Sequence, residues 1–419
     1  MSADVLPFPS SLPRLDGAAW LRQPQTQAVL QAIAAAGYEG RVVGGAVRNA
    51  LIGKAVSDID IATNAPPDEV MRLALAAGFA AVPTGIAHGT ITVVAHHHPF
   101  EVTTLREDVE THGRHATVAF TADWAADARR RDFTINALYC AADGTVHDPL
   151  GGWPDLVARR IRFIGDAGQR IREDFLRILR FFRFHAEYAD GAPDATGLHA
   201  AVVERVGLAQ LSGERVRLEL VKLLAAPGAV AAIETMAAYG LLTELLPVAP
   251  RLGPFARLAA AEERAGQAPR PMLRLALLTI AVAEDAGRVA TRLRLSNEER
   301  AVLTRRGRRL RVRPEAGEAA AKVALYRLGR DGYIEAVLAS WVELDRASEP
   351  VWLELLSLPD RWTVPRLPVS GNDVLARGVA PGAAVGRALG LLEEAWIAAS
   401  MPDDRDWLLA RLDGLVEKP

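Results

Sequence analysis

The chain has 419 residues, half of them hydrophobic, so it can bury a large core and should divide into two or more domains. Its formal net charge of −2 gives no overall attraction for nucleic acid, and binding of a polyanion would have to depend on local basic patches. A single cysteine, Cys140, excludes a disulfide framework and a cysteine-based zinc site.

The N-terminal segment has no basic start followed by an apolar core, which argues against a secretory signal. The apolar run at residues 275–282 is shorter than the roughly 20 residues that a bilayer-spanning helix needs. We therefore expect a cytoplasmic protein without a membrane-spanning segment, and the sequence indicates no protein partner.

The first predicted element is a helix at residues 25–36, which Gly37 ends. A β-branched strand follows and runs into Gly44 and Gly45, where the backbone can bend sharply and a phosphate can approach it closely. If the next helix starts at Ala46, its free N–H groups favour an anion at the same place.

A second strand in this stretch is predicted to carry Asp58 and Asp60. Residues two apart on a strand lie on one face, and two carboxylates on one face are costly unless water or a cation separates them. Mg²⁺ suits such a pair, since it prefers carboxylate oxygen and brings nucleotide phosphates with it. The pattern favours nucleotidyl transfer, and the alternative is a tight turn followed by a solvated strand edge.

The run GGAVRNALIG…DIDIAT at residues 44–63 resembles the nucleotidyltransferase superfamily that includes DNA polymerase beta. Within it, the run is similar to the class II tRNA nucleotidyltransferases and bacterial poly(A) polymerases. This resemblance implies that Gly45, Arg48 and Arg131 hold the phosphates and ribose of a nucleotide. Asn49 stands where the family usually has aspartate, so its role is open, although asparagine can still brace the turn.

A helix at residues 66–77 and strands at 80–82, 90–94 and 100–105 are predicted next. His96, His97 and His98 lie between two of these strands and favour a hairpin tip over a metal site. Glu101 is our candidate for a third carboxylate beside the aspartates, and the alternative is a strand-edge glutamate paired with Arg106.

Residues 106–120 carry many charges around Gly113 without clear periodicity, which is typical of a mobile loop and, near an active site, of a lid. Residues 130–137, RRDFTINA, match a family motif at every position. In it Arg131 can neutralise triphosphate oxygens, while Asp132 and Asn136 fix the loop or contact the sugar. The later run HDPLGGWPDL at residues 147–156 resembles a structural turn of the family.

Residues 173–184, EDFLRILRFFRF, predict a helix with an acid followed by arginines at steps of three. The pattern resembles the nucleotide-selecting EDxxRxxR motif of the family, and the alternative is an amphipathic helix with ion pairs three residues apart. Asp174 can accept from the amino group of cytosine or adenine while Arg177 donates to the ring nitrogen; guanine and uracil present the opposite order. By resemblance Arg180 and Arg183 also bind nucleotide, through the phosphates or by supporting the selecting pair.

Beyond residue 190 the pattern is helical almost throughout. The basic cluster TRRGRRLRVRP at residues 304–314 either meets an RNA backbone or is an exposed helix end. We predict an N-terminal α+β head of the polymerase-beta type, a small mixed sheet with helices, followed by an all-α C-terminal half. The predicted domains are a catalytic head (1–160), a neck with the nucleotide-selecting helix (161–225), an RNA-binding body (226–345) and a tail (346–419).

The resemblance implies addition of CCA to the tRNA 3′ end from CTP and ATP with release of pyrophosphate. The alternatives are a poly(A) polymerase, a partial CC- or A-adding enzyme, an antibiotic nucleotidyltransferase and a non-catalytic RNA- or nucleotide-binding relative. Two Mg²⁺ ions are expected on Asp58 and Asp60. The candidate site residues are catalytic Asp58, Asp60 and Glu101, with nucleotide-binding Gly44, Gly45, Arg48, Arg131, Asp174, Arg177, Arg180 and Arg183.

Overall fold

A computed structural model describes residues 12–112, 115–308, 311–344 and 347–416. The described backbone forms two compact units that divide after residue 250, with residues 292–294 belonging to the first unit. The finer division into head, neck, body and tail stays a prediction.

The first unit is built on a seven-stranded mixed sheet with the order β3-β4-β5-β2-β1-β8-β9. β2 and β5 run parallel, and the other neighbours are antiparallel. This arrangement confirms the predicted α+β head. The strands are β1 (Gly40–Val43), β2 (Asp60–Thr63), β3 (Ala80–Gly85), β4 (Thr90–Ala95), β5 (His98–Thr104), β8 (Tyr139–Ala141) and β9 (Val146–His147).

The helices around this sheet begin and end close to the predicted positions. Two of them, α2 and α4, pack on the sheet and on each other, and glycines with positive φ follow each: Gly37 at 81° and Gly78 at 78°. The four helices of this part are α1 (Ala19–Arg22), α2 (Pro24–Ala34), α3 (Gly45–Leu51) and α4 (Pro67–Ala76).

The triple histidine forms the hairpin tip that the sequence predicts. β4 and β5 are joined by His96 and His97, which both have positive φ, at 50° and 66°. The ring of His96 lies edge-on to Phe79, with 5.9 Å between the ring centroids.

The prediction of an irregular loop at residues 106–120 is wrong for the two flanks. They form an antiparallel pair of strands, β6 (Arg106–His112) and β7 (His115–Phe120), as a separate two-stranded sheet. Gly113, the centre of the predicted loop, lies outside the described residues. The charges of β6 hid the first strand, because Val109 is its single apolar residue, whereas the alternation of Ala116, Val118 and Phe120 on β7 was a usable signal.

Aromatic packing joins the RRDFTINA segment of the first unit to its later helices. Phe133 lies 4.8 Å from Phe163 and 5.2 Å from Phe184, measured between ring centroids. Phe181 stacks on Phe163 at 5.5 Å, and all four side chains are buried. The helices are α5 (Trp124–Arg129), α6 (Gly152–Val157), α7 (Ala167–Glu173), α8 (Leu176–Tyr188), α9 (Ala195–Val203), α10 (Gly213–Ala225), α11 (Ala229–Ala238) and α12 (Leu241–Leu245).

Beyond residue 250 the described chain is helical, as predicted. One core forms around Trp341 and Trp352, whose stacked rings are 6.3 Å apart, and a second forms around Trp396. The helix α17 is kinked at Gly329, which has φ 69°. The helices are α13 (Leu252–Arg264), α14 (Pro271–Thr279), α15 (Ala283–Leu293), α16 (Asn297–Gly307), α17 (Gly317–Leu344), α18 (Glu349–Arg361), α19 (Gly371–Leu375), α20 (Ala383–Ala398) and α21 (Arg405–Val416).

Within the described ranges, none of these helices combines the length and the apolar character that crossing a bilayer requires.

The turn at residues 147–156 is structural, as the sequence predicts. Asp148 accepts hydrogen bonds from the backbone N–H groups of Gly152 and Trp153, both at 2.8 Å. A Cβ atom on Gly152 would lie 2.1 Å from the backbone oxygen of Thr134. Only glycine fits here, because the opposing atom belongs to the backbone and has no rotamer to change.

We expect Gly152→Ala to lower the free energy of unfolding of the first unit by about 1–3 kcal/mol, as overpacking does. Cys140, the only cysteine, lies fully buried on β8, so its reaction with a thiol reagent in urea reports unfolding of this unit. Gly17→Ala is the matched control, since a Cβ at exposed Gly17 meets nothing within 4 Å. Equal urea midpoints for both variants would contradict the close approach.

Candidate functional site

The turn between β1 and α3 lies at the centre of the candidate site. Gly44 has φ 71° and ψ −118°, a conformation that favours glycine, and the helix begins at Gly45, one residue before the predicted start. A Cβ on Gly44 would lie 3.6 Å from the backbone oxygen of Asn136 and 3.8 Å from Nη1 of Arg131. The turn therefore faces the RRDFTINA segment, so two motifs nearly 90 residues apart share one place.

The carboxylates lie at the neighbouring strand ends. Asp60 is the first residue of β2 and pairs in register with Val43 on β1 and with Glu101 on β5. Asp58 is not on this strand, contrary to the prediction, but in the segment before it, where Ser57 Oγ donates to its Oδ2 at 3.0 Å. The prediction that Asp58 and Asp60 lie on one face of a strand is therefore wrong.

Two other carboxylates nevertheless act electrostatically on Asp60. Asp60 is partly removed from water by its surroundings, which raises the pKa of its carboxyl. The charges of Glu101 and Asp58 raise this pKa further. The cation Arg131 acts in the opposite direction. A divalent cation would relieve this repulsion, so the donor set fits Mg²⁺.

No group of three acidic, histidine or cysteine side chains among the described residues forms a ready metal cage. That is compatible with Mg²⁺, which proteins commonly hold through one or two carboxylates while substrate phosphates complete the shell. The structure places Glu101 beside Asp60, and its role as a third ligand stays a prediction.

Arg131 is held in place by a buried carboxylate. Asp127 accepts from Arg131 Nη2 at 3.0 Å, from Arg130 Nε at 2.8 Å and from the Tyr139 hydroxyl at 2.8 Å. Burial would raise the pKa of Asp127, but the two arginines lower it below its ordinary value. The ionised carboxylate thus orients Arg131 with its Nη1 towards Gly44, where a phosphate would lie.

Arg48, a predicted nucleotide-binding residue, is buried and bonded within the protein. Nη1 donates to Asn136 Oδ1 at 2.5 Å, and Nη2 donates to the Tyr188 hydroxyl at 2.7 Å and to Asn49 Oδ1 at 2.9 Å. Burial lowers the pKa of Arg48, although the Tyr188 contact opposes this. In this structure Arg48 braces the turn, and its predicted contact with nucleotide stays untested.

Asp132 and Asn136 fix the loop, one of the two roles that the sequence predicts. Asn136 Nδ2 donates to Asp132 Oδ1 at 2.9 Å, and Arg180 Nε and Nη2 donate to Oδ2 at 2.8 and 2.5 Å. Burial would raise the pKa of Asp132, but Arg180 and the bond from Asn136 lower it. Through Arg48 and Arg180, this carboxylate links the turn after β1 to the helix α8.

Arg183 and Arg180 share a second buried acid on α10. Arg183 Nε donates to Glu219 Oε2 at 2.5 Å, and Arg180 Nη1 donates to Oε1 at 3.4 Å. The support that the sequence analysis assigned to these arginines therefore goes to Asp132 and Glu219 and not directly to the selecting pair.

The predicted selecting helix is interrupted. α7 ends at Glu173, Asp174 is extended with φ −155°, and α8 begins at Leu176, whose N–H donates to Asp174 Oδ1 at 3.1 Å. Asp174 Oδ2 accepts from Arg215 Nη2 at 2.7 Å, while Arg177 Nη1 donates to Glu173 Oε2 at 2.5 Å. The acid and the arginine are thus held separately, each by a different partner.

Sequence reasoning missed Arg215, Glu219 and Glu173 as partners of the site. Arg215 and Glu219 are four residues apart on α10 and therefore lie on one face of that helix. This spacing of a basic and an acidic residue could have indicated a face that pairs with the arginine-rich helix α8. The pairing itself spans about 40 residues of sequence, which no local pattern can specify.

Part of the basic cluster at residues 304–314 is neutralised within the second unit. Arg305 Nη2 donates to Glu335 at 2.5 Å, and Arg306 pairs with Glu343. Arg311 Nη2 is 3.7 Å from the same Glu343 carboxylate. These pairs weaken the interpretation of this cluster as an RNA-binding patch; residues 309–310 lie outside the described part.

Two family models match the chain. "Poly A polymerase head domain" covers residues 40–162, and "Probable RNA and SrmB- binding site of polymerase A" covers residues 205–252.

Among curated relatives, CCA tRNA nucleotidyltransferase 1, mitochondrial, of Mus musculus is 36% identical over 381 residues, 89% of this chain and 86% of that protein. A CCA-adding enzyme of Levilactobacillus brevis is 33% identical over 387 residues, 91% of this chain and 95% of that protein.

Among solved structures, the Bacillus stearothermophilus CCA-adding enzyme in complex with CTP has a TM-score of 0.70 and 29% identity, covering 94% of this chain and 98% of that one. The Thermotoga maritima CCA-adding enzyme complexed with tRNA has a TM-score of 0.60 and 21% identity over 93% and 94% of the two chains. This second likeness shows the fold alone.

We expect Asp132→Asn to lower the free energy of unfolding at neutral pH by about 3 kcal/mol, as the loss of a buried ion pair does. Because the folded pKa of Asp132 is depressed, its contribution is complete above its ordinary pKa of 3.8 and is lost as pH falls through the lower folded value. The difference between wild type and variant should therefore shrink below that pH in urea unfolding curves.

Asp190→Asn is the matched control, because Asp190 forms an exposed ion pair with Arg159, at 3.1 Å, in the same unit. It should change stability little at any pH. A pH profile for Asp132→Asn that follows the control would refute the buried ionised carboxylate.

Proposed function

This chain belongs to the class II family of CCA-adding enzymes and bacterial poly(A) polymerases, and we propose that its reaction takes place at the turn between β1 and α3. It is a tRNA nucleotidyltransferase that adds CCA to the 3′ end of tRNA from CTP and ATP and releases pyrophosphate. The observation that supports this most is the match of about 36% identity over almost the whole chain, with the family motifs converging on one turn.

The reaction joins the 3′-hydroxyl oxygen of the RNA to the α-phosphorus of the nucleotide while the bond to pyrophosphate breaks. Asp58 and Asp60, with Glu101 beside them, would hold two Mg²⁺ ions. Bound there, the metal would lower the pKa of the attacking hydroxyl and neutralise the triphosphate. The Gly44 turn leaves room for a phosphate to approach the backbone, and Arg131 Nη1 faces that room.

Base selection depends on Asp174 and Arg177, which the structure holds by separate partners. Each oxygen of a carboxylate has two lone pairs, so Asp174 can accept from the amino group of cytosine or adenine while it stays bonded to Arg215. Arg177 can donate to the ring nitrogen from guanidinium N–H groups other than the one that Glu173 occupies. Guanine and uracil would leave donors facing donors and acceptors facing acceptors.

The alternatives differ in their products. A poly(A) polymerase would add long A tails, a partial enzyme would stop after CC or add only A, and a non-catalytic relative would add nothing. The cytoplasmic location expected from the sequence stays a prediction, since the mouse relative is named as mitochondrial.

We expect tRNA that lacks its 3′ end to gain three nucleotides, CCA, when it is incubated with the protein, Mg²⁺, CTP and ATP. Each nucleotide is also supplied alone, and the products are separated on a sequencing gel. Long A tails would favour the polymerase, and no extension by folded protein with Mg²⁺ present would overturn the assignment.

We expect Asp174→Ala to reduce the preference for CTP and ATP over GTP and UTP by about 10-fold or more, since the mismatch penalty comes from this acceptor. The dependence of the remaining activity on Mg²⁺ concentration should stay unchanged, because Asp174 is not a metal ligand. The measurement is kcat/KM for each nucleotide. Unchanged nucleotide preference would refute selection by this side chain.

A further inference from the structure

The segment that carries Asp58 has no regular structure of its own. Residues 52–59, which we call the aspartate loop, connect α3 to β2, and Asp58 is exposed. The position of this carboxylate therefore depends on how the loop is attached to its surroundings, and the structure shows attachments from two directions.

The first attachments come from Asn49 on α3. Its backbone oxygen accepts from the Lys54 N–H at 2.8 Å, and its side-chain Nδ2 donates to the Ala55 oxygen at 3.0 Å. An aspartate at position 49 has no N–H to donate, so asparagine, where the family usually has aspartate, gives this chain a bond to the loop.

The second attachment comes from the C-terminal end of α8. Lys54 Nζ donates to Glu187 Oε1 at 2.6 Å and to the Glu187 backbone oxygen at 2.9 Å. The same ammonium lies 4.6 Å from the centroid of the Tyr188 ring. These contacts direct the Lys54 charge towards the helix.

Tyr188 is itself fixed between two cations. Cζ of Arg48 lies 4.1 Å from the ring centroid, and the Tyr188 hydroxyl accepts from Arg48 Nη2 at 2.7 Å. The ring also stacks on Phe184 at 5.7 Å. Because Arg48 is buried and bonded to Asn136, the end of α8 is a firm anchor for the loop.

We propose that Lys54 and Glu187 are positioning residues that hold the aspartate loop, and with it Asp58, on the helix whose first turn follows the base-selecting Asp174. They act through the loop and do not touch the nucleotide or the RNA. The proposal concerns how the proposed nucleotidyl transfer is positioned and therefore rests on that function.

The test compares Lys54→Met, Glu187→Ala and the double variant in the full-length protein. Hydrogen–deuterium exchange of the peptides that cover residues 52–59 should become faster in all three. For CMP addition to tRNA lacking its 3′ end, kcat should fall about 10–100-fold, as for other residues that orient metal-binding groups. KM for CTP should change by less than about 2-fold, because nucleotide binding is not what is lost.

Two variants serve as controls. Lys54→Arg should keep most of kcat, since arginine can also donate to Glu187 and lie over Tyr188. Lys322→Met is the matched control, because Lys322 pairs with Glu318 at 2.8 Å and lies 5.6 Å from the Trp362 ring centroid in the second unit. It should leave the exchange of residues 52–59 and kcat unchanged.

The double variant should lose no more kcat than the more affected single variant, since both substitutions act on the same contact between Lys54 and Glu187. Glu187→Ala should be the milder single variant, since Lys54 Nζ keeps the Glu187 backbone oxygen and the Tyr188 ring as partners. Additive losses in the double variant, or a loss of kcat in Lys54→Met without faster exchange of residues 52–59, would overturn the proposal and assign Lys54 to direct substrate contact. Exchange equal to that of Lys322→Met would also overturn it. Absence of CCA addition by the wild type would refute the proposed function alone, because exchange tests the attachment without turnover.

Discussion

The carboxylate of Asp132 is the contact on which the rest of the site depends. It binds Arg180 on α8 and Asn136 in the RRDFTINA segment, and Asn136 in turn binds Arg48 beside the glycine turn. A buried ion pair of this kind contributes little net stability when it is complete, but removing one partner is costly because a buried charge is left alone. The pair therefore fixes the position of the helix relative to the sheet rather than serving as a main source of stability.

Hydrophobic packing supports this series of polar contacts around Asp132. The rings of Phe133, Phe163, Phe181 and Phe184 pack around the same junction, so RRDFTINA contributes both an apolar and an ionic contact to α8. Burial of these apolar side chains contributes to the free energy of folding but is not directional. The hydrogen bonds to Asp132 are directional and therefore fix the orientation of the groups that they join. Together they place Asp174 in the same compact unit as Asp60, although more than 100 residues separate the two.

The sequence predicted what local patterns and motifs can specify. The strands before residue 106, the turn at Gly44 and the hairpin tip at His96 and His97 follow from periodicity and motif order, and the place of Glu101 beside Asp60 follows from the family resemblance. It did not predict that Asp58 precedes its strand, or that the helix breaks at Asp174, because both depend on capping and on partners distant in sequence. The ion pairs of Arg180, Arg183 and Arg215 could not be predicted for the same reason.

The internal pairing of arginines has a consequence for how salt affects RNA binding. A cation releases counterions from RNA only if it reaches a phosphate, and the slope of affinity against salt counts those contacts alone. Arg48, Arg180, Arg183, Arg305 and Arg306 are bonded to protein groups. The chain has 49 basic residues, but these five contribute nothing to that slope while they stay paired. The affinity for RNA will therefore depend less steeply on salt concentration than the arginine content suggests.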